Sequence, residues 1–363
     1  VLLTSLTLVD FRNIAEASVD FPEGTTVITG PNGAGKSNLL EAVGWLASLR
    51  SFRGAPREAL VRHGAESAVI RGRTRVGERA VDIEAELRTA GRSRAMVNRQ
   101  AVRRRTDLHD SLRCTVFSPQ DIVVVRGGPS ERRTFLDDVL ENVDPKLARS
   151  VEDTDRILRQ RAAVLRDAHR RPAAEVTSSL DVWDERLSDL GTRLAEAREH
   201  LVDQLHPLVV SHYDRLAGQA SDVTTTYVRS WKGPLADALA VHRHVDLARG
   251  VSSVGPHRDD LELLVGGLPA RTHTSQGEQR SLALAMRLSA HQLATERTGH
   301  PPVLLLDDVF SELDDDRRRA LVTGLPEGQA LVTSAVAAPP DVAVAQLIEV
   351  HPGGDVRPQT RQP

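Results

Sequence analysis

The sequence predicts an α/β fold: a head built from a mixed sheet and an antiparallel β meander, interrupted by an inserted helical hairpin. Three observations carry that prediction. A glycine-rich turn at Gly30 to Ser37 lies between a strand pattern and a helix pattern, an all-apolar run at Val303 to Leu306 ends in two aspartates, and a heptad-like stretch of leucines separates the two.

Alternating apolar and polar residues at Leu2 to Val9, Ser18 to Phe21 and Thr25 to Thr29 read as strands, and a helix follows the glycine turn over Lys36 to Leu49. Alternation resumes at Ser67 to Arg73, Ala80 to Leu87 and Arg94 to Val102, as a meander requires, and Thr115 to Phe117 adds a strand. From Pro145 the period changes. Leu147, Val151, Leu158, Ala162 and Leu165 form one stripe, and a polar break follows at Pro172. Leu180, Trp183, Leu187, Leu190, Leu194, Ala197 and Leu201 then alternate by three and four residues, the spacing of a two-helix seam. At 1.5 Å per residue the limbs reach ~30 to 45 Å, a stub rather than a long arm. After Gly250 the α/β character returns, with strands at Val303 to Leu306 and Ala330 to Thr333. The expected organisation is therefore an N-terminal half-head over 1–143, a helical insertion over 144–249, a C-terminal half-head over 250–350, and a disordered tail over 351–363 rich in Gly, Pro and Arg.

With 363 residues, 40% of them hydrophobic, the chain buries a sizeable core. No apolar run approaches the ~20 residues that span a bilayer, and the N-terminus shows no basic-then-apolar signal pattern, so a cytosolic protein is expected. The lone Cys114 forms no intrachain disulfide and reads as core. A net charge of −3 announces no global basic field, so a nucleic-acid surface must come from uneven placement of charge. Arginines do crowd Arg92 to Arg113 and Arg156 to Arg171. Arg92, Arg94, Arg99, Arg103, Arg104 and Arg105 are candidate DNA contacts, set against a solvated face or a protein-partner surface. No aromatics interleave with them, which favours phosphate contact over base stacking.

The chemistry concentrates in a few motifs. Gly30-Pro31-Asn32-Gly33-Ala34-Gly35-Lys36-Ser37 satisfies the P-loop pattern in the strand-to-helix context that the motif demands. Its glycines let backbone N–H groups turn inward around phosphates, the helix N-terminus adds positive potential, Lys36 reaches the β and γ phosphates, and Ser37 ligates Mg²⁺. Asn38 continues the nucleotide-binding segment. Asp307 ends the apolar strand as a metal-side carboxylate, and Asp308 sits where a glutamate commonly polarises the attacking water. Its side chain is one methylene shorter, so slow hydrolysis is expected.

Thr274-Ser275-Gln276-Gly277-Glu278-Gln279 precedes a helical stretch and looks like the signature motif of ATP-binding cassette proteins, with Gln276 in place of the commoner glycine. In that role Ser275, Gly277 and Glu278 grip a γ-phosphate across a dimer. Read locally, Ser275 and Glu278 make a capping box. Ser311 to Asp314 follows as a D-loop does, and Gln120 fits the Q-loop glutamine that reaches metal and water. The switch histidine expected after the next strand is absent, leaving a hydroxyl at Thr333 or Ser334 to serve, or a weakened sensor.

In this company the chain resembles the RecF family of cassette-type ATPases over nearly its whole length. Asp10-Phe11-Arg12-Asn13 looks like the Phe-Arg-Asn element of RecF, SMC and Rad50 heads, where the Arg and Asn approach the nucleotide. Phe117 to Asp121, Gly127 to Asp137 and Gly255 to Leu261 are similar to stretches particular to RecF. The resemblance implies a weak, DNA-stimulated, Mg²⁺-dependent ATPase that dimerises when ATP-bound. It also implies binding to gapped or junction DNA, and work with RecO and RecR to load RecA. An ATP switch with incidental hydrolysis and a protein partner is the competing reading.

Overall fold

The computed structural model describes residues 1–108, 110–335 and 343–359. The chain forms two compact units. One comprises Val1–Asp121, Ser211–Ala220 and Arg280–Pro363, and the other Ile122–Val210 and Ser221–Gln279. These divisions fall outside the boundaries expected at 143/144 and 249/250, so the second unit takes in residues 122–143 and 250–279 as well as the inserted helices.

The first unit begins with β1 (Leu2–Phe11), β2 (Ile14–Asp20), β3 (Thr25–Thr29), α1 (Lys36–Ser48), β4 (Ser67–Val76), β5 (Arg79–Arg88), β6 (Arg94–Val97), β7 (Gln100–Ala101) and β8 (Cys114–Phe117). The second unit holds α2 (Val123–Arg126), α3 (Pro129–Val143), α4 (Pro145–Asp167), most of α5 (Ala173–Ala217), β9 (Val223–Val228), α6 (Leu235–Arg249), β10 (Asp260–Val265), β11 (Leu268–Pro269) and α7 (Ala270–His273). The helix α8 (Gln276–Thr298) returns the chain to the first unit, followed by β12 (Val303–Leu306), α9 (Asp315–Thr323), β13 (Ala330–Ser334), β14 (Val344–His351) and β15 (Asp355–Gln359).

Two six-stranded sheets make the first unit. One is antiparallel in the order β2-β1-β4-β5-β6-β7, and the other is mixed in the order β15-β14-β3-β13-β12-β8. In the mixed sheet β14, β3, β13, β12 and β8 run parallel. Buried throughout, β12 reads as a continuous apolar run, whereas its neighbour β13, also buried throughout, ends in the hydroxyls of Thr333 and Ser334. The helix α1 packs against strands of both sheets, which is why Leu39, Leu40, Ala42, Val43 and Leu46 are all buried.

Each expected strand overlaps one of these elements, with corrections. β2 runs from Ile14 to Asp20 rather than from Ser18 to Phe21. β9, inside the expected helical insertion, pairs with β10 in a three-stranded sheet of order β11-β10-β9. The expected strand Arg94 to Val102 is broken by a turn at Asn98 and Arg99 into β6 and β7. The tail is ordered as far as Gln359: β15 pairs antiparallel with β14, Val356 facing Val350, across a turn in which Gly353 and Gly354 hold positive φ. Ile348 and Val350 are fully buried, so a segment that looks polar by composition is held by two apolar anchors. Residues 360–363 of the expected disordered tail lie outside the described residues.

The helical limbs differ from expectation in length and in register. α4 has 23 residues and ~35 Å, within the expected reach, but α5 runs for 45 residues, ~67 Å. On α5 the buried line passes through Leu180, Asp184, Leu187, Gly191, Leu194, Arg198 and Leu201, whereas Trp183, Leu190 and Ala197 are only half-buried. Polar residues and a glycine thus occupy every second seam position. Asp184 accepts from Arg161 of α4 at 2.6 Å, and Arg198 donates to Asp137 of α3 at 2.9 Å. Gly191 lies so near Leu235 and Pro256 that a Cβ there would stand 2.9 Å from a Leu235 methyl.

Along α4 the buried line runs through Val151, Thr154, Ile157, Arg161 and Val164, leaving Leu158 and Ala162 half-buried. Arg161 is fully buried and also reaches Asp246 and Ser252, each at 2.7 Å. Such a cluster costs several kcal/mol if one partner is lost, because a charge is then left buried and unpaired.

Two histidines, the half-buried His257 and the buried His291, set an acid limit on stability. Burial, chiefly, holds His257 at about 4, with Arg258, Arg133 and Arg161 adding to the effect, and burial followed by the charge of His212 holds His291 at about 4. Between pH ~6.5 and ~4 the unfolded chain therefore binds more protons than the folded one. Stability present above the ordinary histidine value is lost as pH falls through that window, by up to ~3 kcal/mol per residue. Thermal melts should drop between pH 7.5 and 5, and the drop should be smaller in His291→Leu. An unaltered pH profile in that variant would remove His291 from the account.

Candidate nucleotide site

Sheet order assembles the site. β3, β13, β12 and β8 are successive parallel neighbours, so their carboxyl ends share one edge. That edge carries the P-loop after β3, Ser334 at the end of β13, Asp307 and Asp308 after β12, and Ser118 to Gln120 after β8. Ligands of open α/β sheets bind at such an edge.

The P-loop wraps from Gly30 to Gly35, which precedes α1 with φ 122°, a conformation only glycine adopts readily. A Cβ on Gly35 would also strike the Asn13 carboxamide at 2.7 Å. Asn13 closes on the loop from β1–β2: its Nδ2 donates to the Ala34 carbonyl at 2.7 Å, and its Oδ1 accepts from Asn38 at 2.8 Å. The Lys36 ammonium donates to the Gly30 and Pro31 carbonyls at 2.8 and 3.1 Å. Burial lowers its pKa, and Asp308 and Asp307 oppose that shift.

Asp307 is the meeting point. Its Oδ1 accepts from Ser37 Oγ at 2.7 Å and from Thr333 Oγ1 at 2.8 Å, joining the P-loop to two strand ends. Thr333 Oγ1 in turn accepts from the Asp308 amide at 2.8 Å. Thr333 is therefore committed to holding the two aspartates, and Ser334, the other hydroxyl considered in place of a switch histidine, is buried at the end of the same strand. Asp308 adopts φ 48°, and its Oδ1 is buried without a hydrogen-bond partner among the described residues. A buried acceptor left unmatched requires an explanation, and a ligand-facing role supplies one. Gln120 is exposed at the same edge.

One residue here escaped the sequence reading. Glu41 of α1 is fully buried, and its carboxylate receives both Nε and Nη2 of Arg12 at 2.8 Å, together with the Ser51 hydroxyl. Arg12 thereby holds φ 56° beside the P-loop. The available signal was a lone carboxylate within the otherwise apolar stretch Leu39 to Ala47 of α1, one turn beyond Ser37. An open pocket of about 630 Å³ is lined by Arg12, Asn13, Asn38 and Arg53 on one part and by Val61 and His63 on another.

The remaining motif residues are placed as follows. Ser275 and Glu278 make the reciprocal capping box in the second unit: the Ser275 amide donates to Glu278 Oε2 at 2.7 Å, and the Glu278 amide to Ser275 Oγ at 3.3 Å. Ser275 and Gln276 are exposed, while Gln279 is buried and its Nε2 donates to the Ala270, Arg271 and Thr274 carbonyls. Ser311 donates to the Asp308 carbonyl at 3.0 Å, and Asp314 caps α9 through the Arg317 amide.

Of the arginine candidates, Arg94 is ion-paired with Glu86 at 2.7 Å. Arg92, Arg99, Arg103 and Arg104 are exposed, with no acidic partner among the described residues, and the Arg105 side chain lies outside them. The register of β6 and β7 brings Arg92, Arg94, Arg103 and Arg104 to one end of the hairpin and puts Arg99 at the other.

Residues 2–344 match the RecF/RecN/SMC N-terminal domain. The chain is 39% identical to the DNA replication and repair protein RecF of Cutibacterium acnes, across 97% of this chain and 96% of the relative. The chain belongs to the RecF family. It is likewise 41% identical to the protein of the same name from Frankia alni, over 93% of this chain and 94% of that one. A solved structure of the recombination mediator RecF with ATP, in the RecFOR pathway, superposes with a TM-score of 0.91 at 29% identity, covering 99% of this chain and 98% of the other. An Smc head domain from Pyrococcus furiosus shares the fold, with a TM-score of 0.59 at 16% identity over 99% and 96% of the two chains. Among the described residues no helix is long and apolar enough to cross a membrane.

Proposed function

We propose that this protein is an ATP-dependent recombination mediator that closes as a dimer on DNA at gaps or single-strand/double-strand junctions and reopens through slow hydrolysis. The observation that carries the reading is the junction of Ser37, Asp307 and Thr333 at the P-loop edge, in a chain about 40% identical to RecF proteins over nearly its full length.

The P-loop amides and Lys36 hold the triphosphate, with Arg12 and Asn13 beside it. The oxygens present fit Mg²⁺, since hard hydroxyl and carboxylate donors converge 2.7 Å apart at Ser37 and Asp307 and the acceptor of Asp308 is unmatched. Ser37, Asp307 and Gln120 would hold the ion, which neutralises charge on the phosphates. Asp308 orients the attacking water and accepts its proton as the γ-phosphoryl group passes to that oxygen. The short Asp308 side chain and the engaged Thr333 favour low turnover, so the closed state is long-lived. Ser275, Gly277 and Glu278 meet the γ-phosphate of a second copy. Arg92, Arg103 and Arg104 contact DNA phosphates, and the protein works in the cytosol with RecR and RecO.

The test is sedimentation of wild type and Asp308→Asn with ATP, with and without gapped duplex. Wild type is expected to dimerise only with ATP, and the variant to form a persistent dimer while its hydrolysis falls by at least ~10²-fold. Dimerisation indifferent to ATP would sink the reading. Failure of Asp308→Asn to dimerise would make that carboxylate structural.

A further inference from the structure

Among the described residues, six non-glycine residues hold positive φ: Asp10, Arg12, Leu49, Asn98, Arg99 and Asp308. Arg12 and Asp308 belong to the nucleotide site, and Leu49 ends α1. Asn98 and Arg99 form the two-residue turn between β6 and β7, with Val97 opposite Gln100, and both are left-handed, at φ 48° and 67°. A hairpin turn of this kind takes Asn readily at its first position and favours Gly at its second.

Asn98 repays its conformation locally. Its amide donates to the Asp82 carbonyl at 2.8 Å, and its Oδ1 accepts from the Asp82 amide at 3.0 Å, which pins the turn to β5. Arg99 has no such return: it is exposed, and its guanidinium makes no hydrogen bond or ion pair among the described residues. A bulky residue kept where glycine fits better, on a turn that is itself held fast, points to a use for the side chain.

The surrounding charges indicate which use. On the same sheet Arg71 pairs with Glu84 at 2.7 Å, Arg73 with Asp82 at 2.8 Å, and Arg75 with Glu23. Arg79, where β5 begins beside the β4–β5 turn, resembles Arg99 in being exposed and without an acidic partner among the described residues. Two arginines without an acidic partner among the described residues thus stand at the tips of adjacent hairpins, at the same end of the sheet, beyond the paired charges of β4 and β5. Such an arrangement suits a line of phosphates better than a single carboxylate.

We infer that the β6–β7 turn is a DNA contact in which Arg99 meets the phosphate backbone, Arg79 supplying a second point of the same line. The inference rests on the reading that the protein binds DNA, and it places a contact at the end of the hairpin opposite Arg92, Arg103 and Arg104.

The full chain is tested as wild type, Arg99→Gly and Arg99→Lys, with ATP and a fluorescent gapped duplex, by anisotropy across a salt series and by thermal melts. Arg99→Gly should melt at the same temperature as wild type or higher, because glycine suits the turn. Its DNA affinity should nevertheless fall several-fold, and its salt slope should flatten by ~0.9, the value of one lost phosphate contact. Arg99→Lys should retain the wild-type slope. Wild-type affinity and slope in Arg99→Gly would overturn the inference and assign the arginine to a protein partner or to solvent, and a lower melting temperature in that variant would overturn the argument from the turn. If wild type itself fails to bind the duplex at low salt, the DNA reading fails and this inference with it, an outcome distinct from both.

Discussion

Lys36→Met is expected to abolish ATP-driven dimerisation and to reduce hydrolysis by ~10²–10³-fold or more, since it removes the ammonium that stands at the mouth of the P-loop. In the structure that ammonium is held by two P-loop carbonyls and feels both Asp307 and Asp308, so it sits between the phosphate cradle and the acidic pair. Methionine keeps the length and the apolar stem, and the fold should survive. Circular dichroism and melting of the variant check that point, and dimerisation at wild-type levels with ATP would refute the nucleotide-site assignment.

The second large effect concerns sites shared between two copies. A cassette dimer completes each site with the P-loop of one subunit and the signature segment of the other. Ser275→Arg should then bind ATP as a monomer and fail to close. Mixing it with Lys36→Met makes heterodimers in which one site carries both lesions and the other neither. With random pairing in a two-fold dimer, half the dimers are mixed and half their sites intact, so hydrolysis should recover to roughly a quarter of wild type. Recovery is read against each variant alone, at dimerising concentrations with DNA present. No recovery despite demonstrated heterodimers would mean that Ser275 acts only as the helix cap that its bonds with Glu278 already describe.

The elements that carry the proposed chemistry were legible in the sequence because their geometry is local. A strand, a glycine turn and a helix in succession leave little freedom at Gly30 to Ser37, and an apolar strand ending in two aspartates announces its buried sides and its polar end. The edge at which they meet was not local. Thr333 was considered only as a stand-in for the switch histidine, whereas the order β3-β13-β12 puts its hydroxyl between Asp307 and the Asp308 amide. Glu41 was passed over because a carboxylate in a helix usually faces water, and partners outside the helix, chiefly Arg12, 29 residues earlier, with Ser51 and Arg53, make its burial tolerable.

The sequence by itself determined the type of most strands and helices and the P-loop with its acidic partner, all from periodicities and turns spanning a few residues. Tertiary structure alone decided the register of the helical seam, the pairing of residues 355–359 as a strand and the pairing of charges. The reason is common to all three. Asp184 and Arg198 lie on the buried line because Arg161 and Asp137 meet them there, β15 forms because Val350 stands opposite Val356, and Arg94 is neutralised by Glu86 while Arg99 is not. Whether a polar residue is buried depends on a partner distant in the chain, because the cost of desolvating it is recovered only in that contact.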